Sequence, residues 1–313
     1  MSQHAKPRDG RRQYKALILM TLGLGLAGAA LAAQGSSAQA QPAWNTPAPA
    51  EFQESWKAFL EMKAKAGKPA AVLSDWSGIW TGGPGGIKFD PAQPGGPEAG
   101  KTTASLTPAY EARYRAKLAN IAKGVEWDPL SACLPAGYPR WLTEPFLREI
   151  IVTPKETWWT NEQQSETRRI YTDGRGHVPD DEAFPLWEGD SVGFWDGATL
   201  VIHTIRVKPG QYQRADPDYS DQTSTVERLR MINPDTIEDQ ITVWDPQSLT
   251  KPWHVVHAFV RVKTPGARID MWSCEENNNV VKTQTGASQF VLPGEAGYKD
   301  PSRLLTGPQP SAK

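Results

Sequence analysis

The chain has only two cysteines, Cys133 and Cys274, among 313 residues. Two thiols alone cannot build a zinc site. No Gly-x-Ser-x-Gly elbow occurs, and the glycines between positions 82 and 100 lack the Lys-Ser/Thr ending and the strand–helix frame of a phosphate-binding loop. Strands do not alternate with helices, which disfavours a doubly wound α/β fold. Long apolar runs are scarce as well, and the longest, Ala16 to Ala33, sits near the N-terminus.

That run explains itself through charge order. Lys6, Arg8, Arg11, Arg12 and Lys15 precede it, and Ala38-Gln39-Ala40 follows it. A charged region, an apolar core and a small-x-small site are the parts of a signal peptide, with cleavage expected after Ala40. Arg11-Arg12 also faintly resembles a twin-arginine signal; the general secretory route is the preferred reading. The expected location is periplasmic or secreted. Removal of residues 1–40 takes five basic residues and one acidic residue, leaving 29 Lys+Arg against 34 Asp+Glu. No basic block remains, so nucleic-acid binding lacks its electrostatic footprint, and neither membrane-surface attraction nor stable insertion is expected.

The remaining chain, about 270 residues, suffices for one large domain with its own core. Its expected parts are a lead-in with an amphipathic helix over 41–75, a β domain over 76–292 and a tail over 293–313. In an oxidising compartment Cys133 and Cys274 either pair, closing a long loop, or remain buried thiols.

Phe52, Trp56, Phe59 and Leu60 recur at helical spacing from Glu51 to Ala66, before Gly67 and Pro69. Thr107-Pro108 starts a second helix, with Tyr110, Tyr114, Leu118 and Ile121 on one face and Gly124 at its end. From Glu149 the period shifts to two. Expected strands are Glu149–Thr153, Glu156–Asn161, Thr167–Thr172, Ser191–Trp195, Ala198–Arg206, Thr223–Ile232, Thr236–Trp244, His254–Lys263 and Ala267–Cys274. Asp173-Gly174, Asp196-Gly197 and Asn233-Pro234-Asp235 supply turns. So many sequential strands leave raw edges unless the sheet closes. The expected fold is therefore mainly β, an antiparallel up-and-down barrel with two short N-terminal helices.

Gly78-Ile79-Trp80 resembles the Gly-x-Trp on the first strand of lipocalins and other calycin barrels. Leu106-Thr107-Pro108, the run Arg168 to Arg175, Trp195-Asp196-Gly197 with Thr199-Leu200-Val201, Val226-Glu227-Arg228, Asp245-Pro246 and Pro252-Trp253 are similar to a family of uncharacterised secreted bacterial proteins. That resemblance implies export and a β-rich fold, and no activity.

Several strands carry one polar side chain in an apolar alternating row. His203 lies with Val201 and Ile205, Glu227 with Leu229 and Met231, Asp239 with Ile237 and Ile241, and His257 with Val255 and Phe259. If those rows face inward, Glu227 and His203 form an acid/base pair, with Arg169 as the partner of Glu227. If they face outward, or if each group is satisfied by a neighbour, no site exists there. His254 and His257, three apart on a strand, point to opposite faces and cannot share a metal ion. No cofactor or metal is expected. Arg169 and Tyr171 share a face and could clamp a ligand's acidic end. Of thirteen tryptophans, Trp158, Trp159, Trp187, Trp195, Trp253 and Trp272 fall at strand ends or turns, where Trp187 and Trp195 could edge a pocket mouth beside His257.

Three functions remain open: a lipocalin-like binding protein for a small, largely apolar or aromatic ligand; a cofactor-free acid/base enzyme (lyase, isomerase, hydratase or hydrolase) inside the barrel; and a structural envelope protein with a filled barrel.

Overall fold

The computed structural model describes residues 49–71, 73, 75–83, 88–89, 104–125, 128–270, 280–284 and 288–298. The export segment expected over 1–40, Trp272 and Cys274 lie outside the described residues.

The first helix, α1, spans Gln53–Lys65 and buries Trp56 and Phe59, with Phe52 at its N-cap. Extended backbone at Ala66 ends it. Strands β1 (Ile79–Gly82) and β2 (Lys88–Phe89) follow, then α2 over Pro108–Ala122. Thr107 holds the extended N-cap conformation and Pro108 the first helical position. The Thr107 hydroxyl does not cap the helix; it donates to Gln247 O at 2.8 Å and ties α2 to a distant loop. Cys133 sits in the left-handed region at the end of the short turn Pro129–Ala132.

The remaining strands are β3 (Arg148–Val152), β4 (Glu156–Asn161), β5 (Thr167–Tyr171), β6 (Asp190–Asp196), β7 (Thr199–Ile205), β8 (Gly210–Gln211), β9 (Asp218–Tyr219), β10 (Ser224–Asn233), β11 (Thr236–Trp244), β12 (Trp253–Arg261), β13 (Val280–Lys282) and β14 (Ser288–Phe290). Eight of them and β1 close a barrel in the order β1-β3-β4-β5-β6-β7-β10-β11-β12 and back to β1, where Trp80 faces Arg261 across the closing seam. Closure removes the edges that a sheet of this length would otherwise expose.

Two expectations need correction. The barrel is mixed, because β5 and β6 run parallel, Ile170 beside Ser191 and Tyr171 beside Val192. Parallel neighbours cannot be joined by a tight turn. Here the chain from Thr172 to Gly189 travels back along the barrel before β6 begins. The strand expected over Ala267–Cys274 does not form in its described part, since residues 267–270 are irregular.

Side chains lie in two layers. The inner one gathers Trp80, Ile150, Trp159, Ile170, Leu200, Ile202, Leu229, Ile237, Val255 and Phe259 inside the barrel wall. The outer one packs Phe52, Trp56 and Phe59 of the α1 segment on Val192, Phe194, Val201, Ile205 and Val226. Burying Trp56 and Phe59 stabilises the docked helix by about 1.5–3 kcal/mol each. Strand β7 therefore reads Leu-Val-Ile without alternation, one face serving each layer.

Candidate functional site

The inner layer has a charged centre. Arg168 alternates with Ile170 on β5, so both point inward, whereas Arg169 points out. The Arg168 guanidinium makes a two-pronged pair with Glu227, Nη1 donating to Oε1 at 3.1 Å and Nη2 to Oε2. It also donates to Thr204 Oγ1 at 2.7 Å and Ser191 Oγ at 3.2 Å, and lies 4.0 Å over the Tyr138 ring. Arg168 and Glu227 are 1 % and 0 % exposed. Burial is the largest single effect and works against the cation, but the charge and hydrogen bonds of Glu227 together with the nearby Tyr138 and Asp239 outweigh it and hold Arg168 protonated.

Asp239 is also wholly buried and pairs across the sheet with His257. Burial first, then the charge of Glu227, pushes its carboxyl well above the usual range, and in neutral form it hydrogen-bonds Glu227. The one arginine is committed to Glu227, and the Asp239 acid beside it is held toward its protonated form. A further acid pair, Glu166 and Glu188, lies near Arg168. Burial and then the charge of Glu166 raise Glu188 well above the usual range.

His203 does not join this centre. Its strand-mate Ile202 faces Glu227, and His203 points into the outer layer beneath α1. There it forms part of a linear chain of hydrogen bonds. Asp190 Oδ2 lies 2.9 Å from His177 Nδ1, His177 Nε2 lies 2.7 Å from His203 Nδ1, and His203 Nε2 lies 2.9 Å from Ser55 Oγ. Ser55 Oγ also reaches Phe52 O at 3.0 Å. Burial first, then the charge on His177, holds the His203 pKa well below its ordinary value. Burial opposes ionisation of Asp190, yet its bond to His177, the Val178 amide and the nearby Arg206 together lower its pKa.

The other expected site residues scatter. Arg169 is exposed and stacks at 4.1 Å on Trp158. Tyr171 lies under Arg175 at 4.2 Å, and Trp187 under Lys208 at 4.7 Å. His257 is buried inside the barrel edge-on to Phe259, while His254 faces out and meets Thr242, so the two are on opposite faces. The acid/base pairing of Glu227 with His203 and the partnership of Glu227 with Arg169 are therefore corrected: the wall of the barrel separates the first pair, and strand parity replaces Arg169 by Arg168.

Trp195 does edge an opening. A crevice of about 990 Å³ lies where α1 ends, where the segment before β1 crosses and where β3, β5 and β6 terminate. Leu73, Trp76, Ile150, Ile151, Val152, Phe194 and Trp195 supply apolar wall, with Lys63, Asp75, Glu149 and Asp173 as the charged groups. Trp76 and Trp195 meet edge-to-face at 5.4 Å. Neither buried indole N–H finds an acceptor among the described residues. Burial lowers the Lys63 amine to about 8. The crossing segment is tied down by Gly67 N donating to Asp196 Oδ1 at 3.0 Å and Ala70 N to Gly197 O at 2.9 Å.

Arg168, His177, Asp190, Ser55 and Trp76 were not singled out by sequence reasoning. For Arg168 the signal existed, since Ile170 is its alternate neighbour. Among the described residues no group of three or more His, Cys, Asp or Glu is placed to hold a metal ion, and no helix is long and apolar enough to cross a membrane.

No protein-family model and no curated protein matches the chain. Among solved structures it is similar to the S-type phycobiliprotein lyase CPES from Guillardia theta, at 12 % identity and a TM-score of 0.24, over 60 % of this chain and 89 % of that one. A score this low is not evidence of a shared fold or activity.

Proposed function

We propose that the protein binds a small, largely apolar or aromatic molecule carrying one hydrogen-bond acceptor, seated in the crevice at the Trp76–Trp195 end of the barrel. The observation that carries this is the pair of tryptophans packed edge-to-face in the wall of a concave space of about 990 Å³. Ligand sites are concave, mostly apolar and supplied with a few polar groups that fix orientation. The Lys63 amine in the crevice wall suits a carbonyl, hydroxyl or acidic end. The charged centre inside the barrel serves stability on this reading, because Arg168 and Glu227 are committed to each other. In the same proposal the chain is exported, as the charge order of residues 1–40 supports, and Cys133 pairs with Cys274.

Fluorescence titration with the neutral probe N-phenyl-1-naphthylamine tests the site. Ile151 lines the crevice yet is 43 % exposed, so Ile151→Trp fills the space without disturbing the core. The wild type should bind saturably at one site and Ile151→Trp should not. Equal binding by both would overturn the assignment.

A further inference from the structure

Helix α1 touches two places at once. Its N-terminal half carries Ser55 at the end of the Asp190–His177–His203 chain, and its C-terminal half carries Lys63 in the crevice wall. Beyond it, the segment bonded to Asp196 and Gly197 leads to Leu73, Asp75 and Trp76, which line the same crevice. One helix thus connects the histidine pair with the wall of the crevice.

The chain of hydrogen bonds holds two proton arrangements. With both histidines neutral, Ser55 donates to His203 Nε2, His203 Nδ1–H to His177 Nε2, and His177 Nδ1–H to Asp190. Adding one proton makes His177 a cation against Asp190 and reverses the rest: His177 Nε2–H donates to His203 Nδ1, His203 Nε2–H to Ser55, and Ser55 to Phe52 O. The Asp190–His177, His177–His203 and His203–Ser55 distances fit both arrangements, and the Ser55–Phe52 O contact fits the second. A second proton fits neither, because it places two N–H donors nose to nose between the rings.

We propose that His177 and His203 form a pH-sensitive latch that holds α1 on the barrel, so that acidification undocks the helix and opens the crevice; the release of ligand rests on the binding reading above. The groups facing the pair are few. From α1 come Ser55, Trp56 and Phe59, from β6 Val192 and Asp190, and from β10 Val226. Arg206 stands 3.7 Å from Asp190 and is itself paired with Asp180; among the described residues no carboxylate contacts His203 directly.

The direction follows from linkage. Docked, His203 is wholly buried and excludes a proton; undocked, it meets water and titrates near its ordinary value of 6.5. Its contribution to docking is full above 6.5 and is lost as pH falls toward the docked value. Over that window the docking equilibrium weakens about tenfold per pH unit. Protonation of Asp190 adds to the loss only in stronger acid, because its carboxyl is held below the usual range.

Hydrogen exchange followed by mass spectrometry on the full chain, corrected for intrinsic rates, reads the latch directly. Between pH 6.5 and 4.5 the protection of residues 53–65 should fall by up to about 50-fold, while strands β10 and β11 keep theirs. His203→Gln, which retains hydrogen-bonding capacity but cannot titrate, should flatten the dependence. Ser55→Ala serves as a second variant that shortens the chain and lowers protection at every pH. Unchanged protection of α1 in the wild type across this range would overturn the latch. The affinity for N-phenyl-1-naphthylamine, followed in parallel, should fall with α1 protection. Constant affinity despite undocking would overturn the coupling, and failure of the probe to bind at any pH would count against the binding reading while the exchange data still decide the latch.

Discussion

Glu227 and His203 lie on adjacent strands one register step apart, Glu227 opposite Ile202 and Val226 opposite His203, and their side chains leave the barrel wall in opposite directions. Both are fully buried, in different layers. An acid and a base so close in the chain lattice are insulated from each other by the sheet itself. The enzyme reading built on that pair loses its geometry, since general acid–base catalysis needs both groups within reach of one reacting atom.

Arg168→Met leaves Glu227 buried without its counter-charge. Breaking a buried pair in this way costs about 3–5 kcal/mol of unfolding free energy, whereas Arg168→Met combined with Glu227→Leu should recover most of it. Urea unfolding of the three proteins checks this. A double variant as unstable as the single one would contradict it.

Asp239 binds a proton more tightly in the folded chain than at its ordinary 3.8, so its contribution to stability is full below 3.8 and is lost as pH rises toward the folded value. Asp239→Asn keeps the shape and removes that loss. The stability difference between variant and wild type should grow with pH above 4, by up to about 1.4 kcal/mol per unit. Unfolding curves at pH 4, 5.5 and 7 measure it; a difference independent of pH would refute the assignment.

Gly189 sits at a φ of +67°, and a Cβ there would stand 2.7 Å from Val207 Cγ1 and 2.9 Å from Ile205 O. Strain and overlap act together at the entry to β6. Gly189→Ala should lower stability by about 2 kcal/mol or more. A thermal midpoint equal to that of the wild type would show that the backbone relaxes freely.

Export makes a prediction in mass. Protein recovered from the periplasm or medium of the producing cell should begin at Gln41 and should take up no alkylating reagent at Cys133 or Cys274 unless it is first reduced. Retention of Met1, or alkylation without reduction, would remove the corresponding half of the proposal.

Much of the barrel was legible because strands such as β4, β5, β11 and β12 alternate between turn signals: β4, β10 and β11 lie close to their expected limits, and Gly78-Ile79-Trp80 leads into β1. The parallel step was not, since Asp173-Gly174 announces a turn and says nothing of where the chain returns. Parity placed His203 and Glu227 in apolar rows and left open whether those rows face inward, and it could not tell which of two buried faces each one joins. That ambiguity arises because α1 turns the outside of β6 and β7 into a second core; the unbroken run Leu200-Val201-Ile202 was the trace of it. The Asp190–His177–His203–Ser55 chain draws on a strand start, a loop, a strand and a helix, and no spacing along the chain brings these together.

The central claim is that the Trp76–Trp195 crevice holds an aromatic ligand, and photo-crosslinking with benzophenone tests it most directly. Its two rings suit the apolar walls and its carbonyl suits the Lys63 amine. Irradiation of the wild type should yield saturable cross-links mapped to residues 150–154, 194–195 and the segment 69–77, suppressed by excess N-phenyl-1-naphthylamine and absent in Ile151→Trp. Cross-links that do not saturate, or that fall elsewhere on the barrel, would contradict the account.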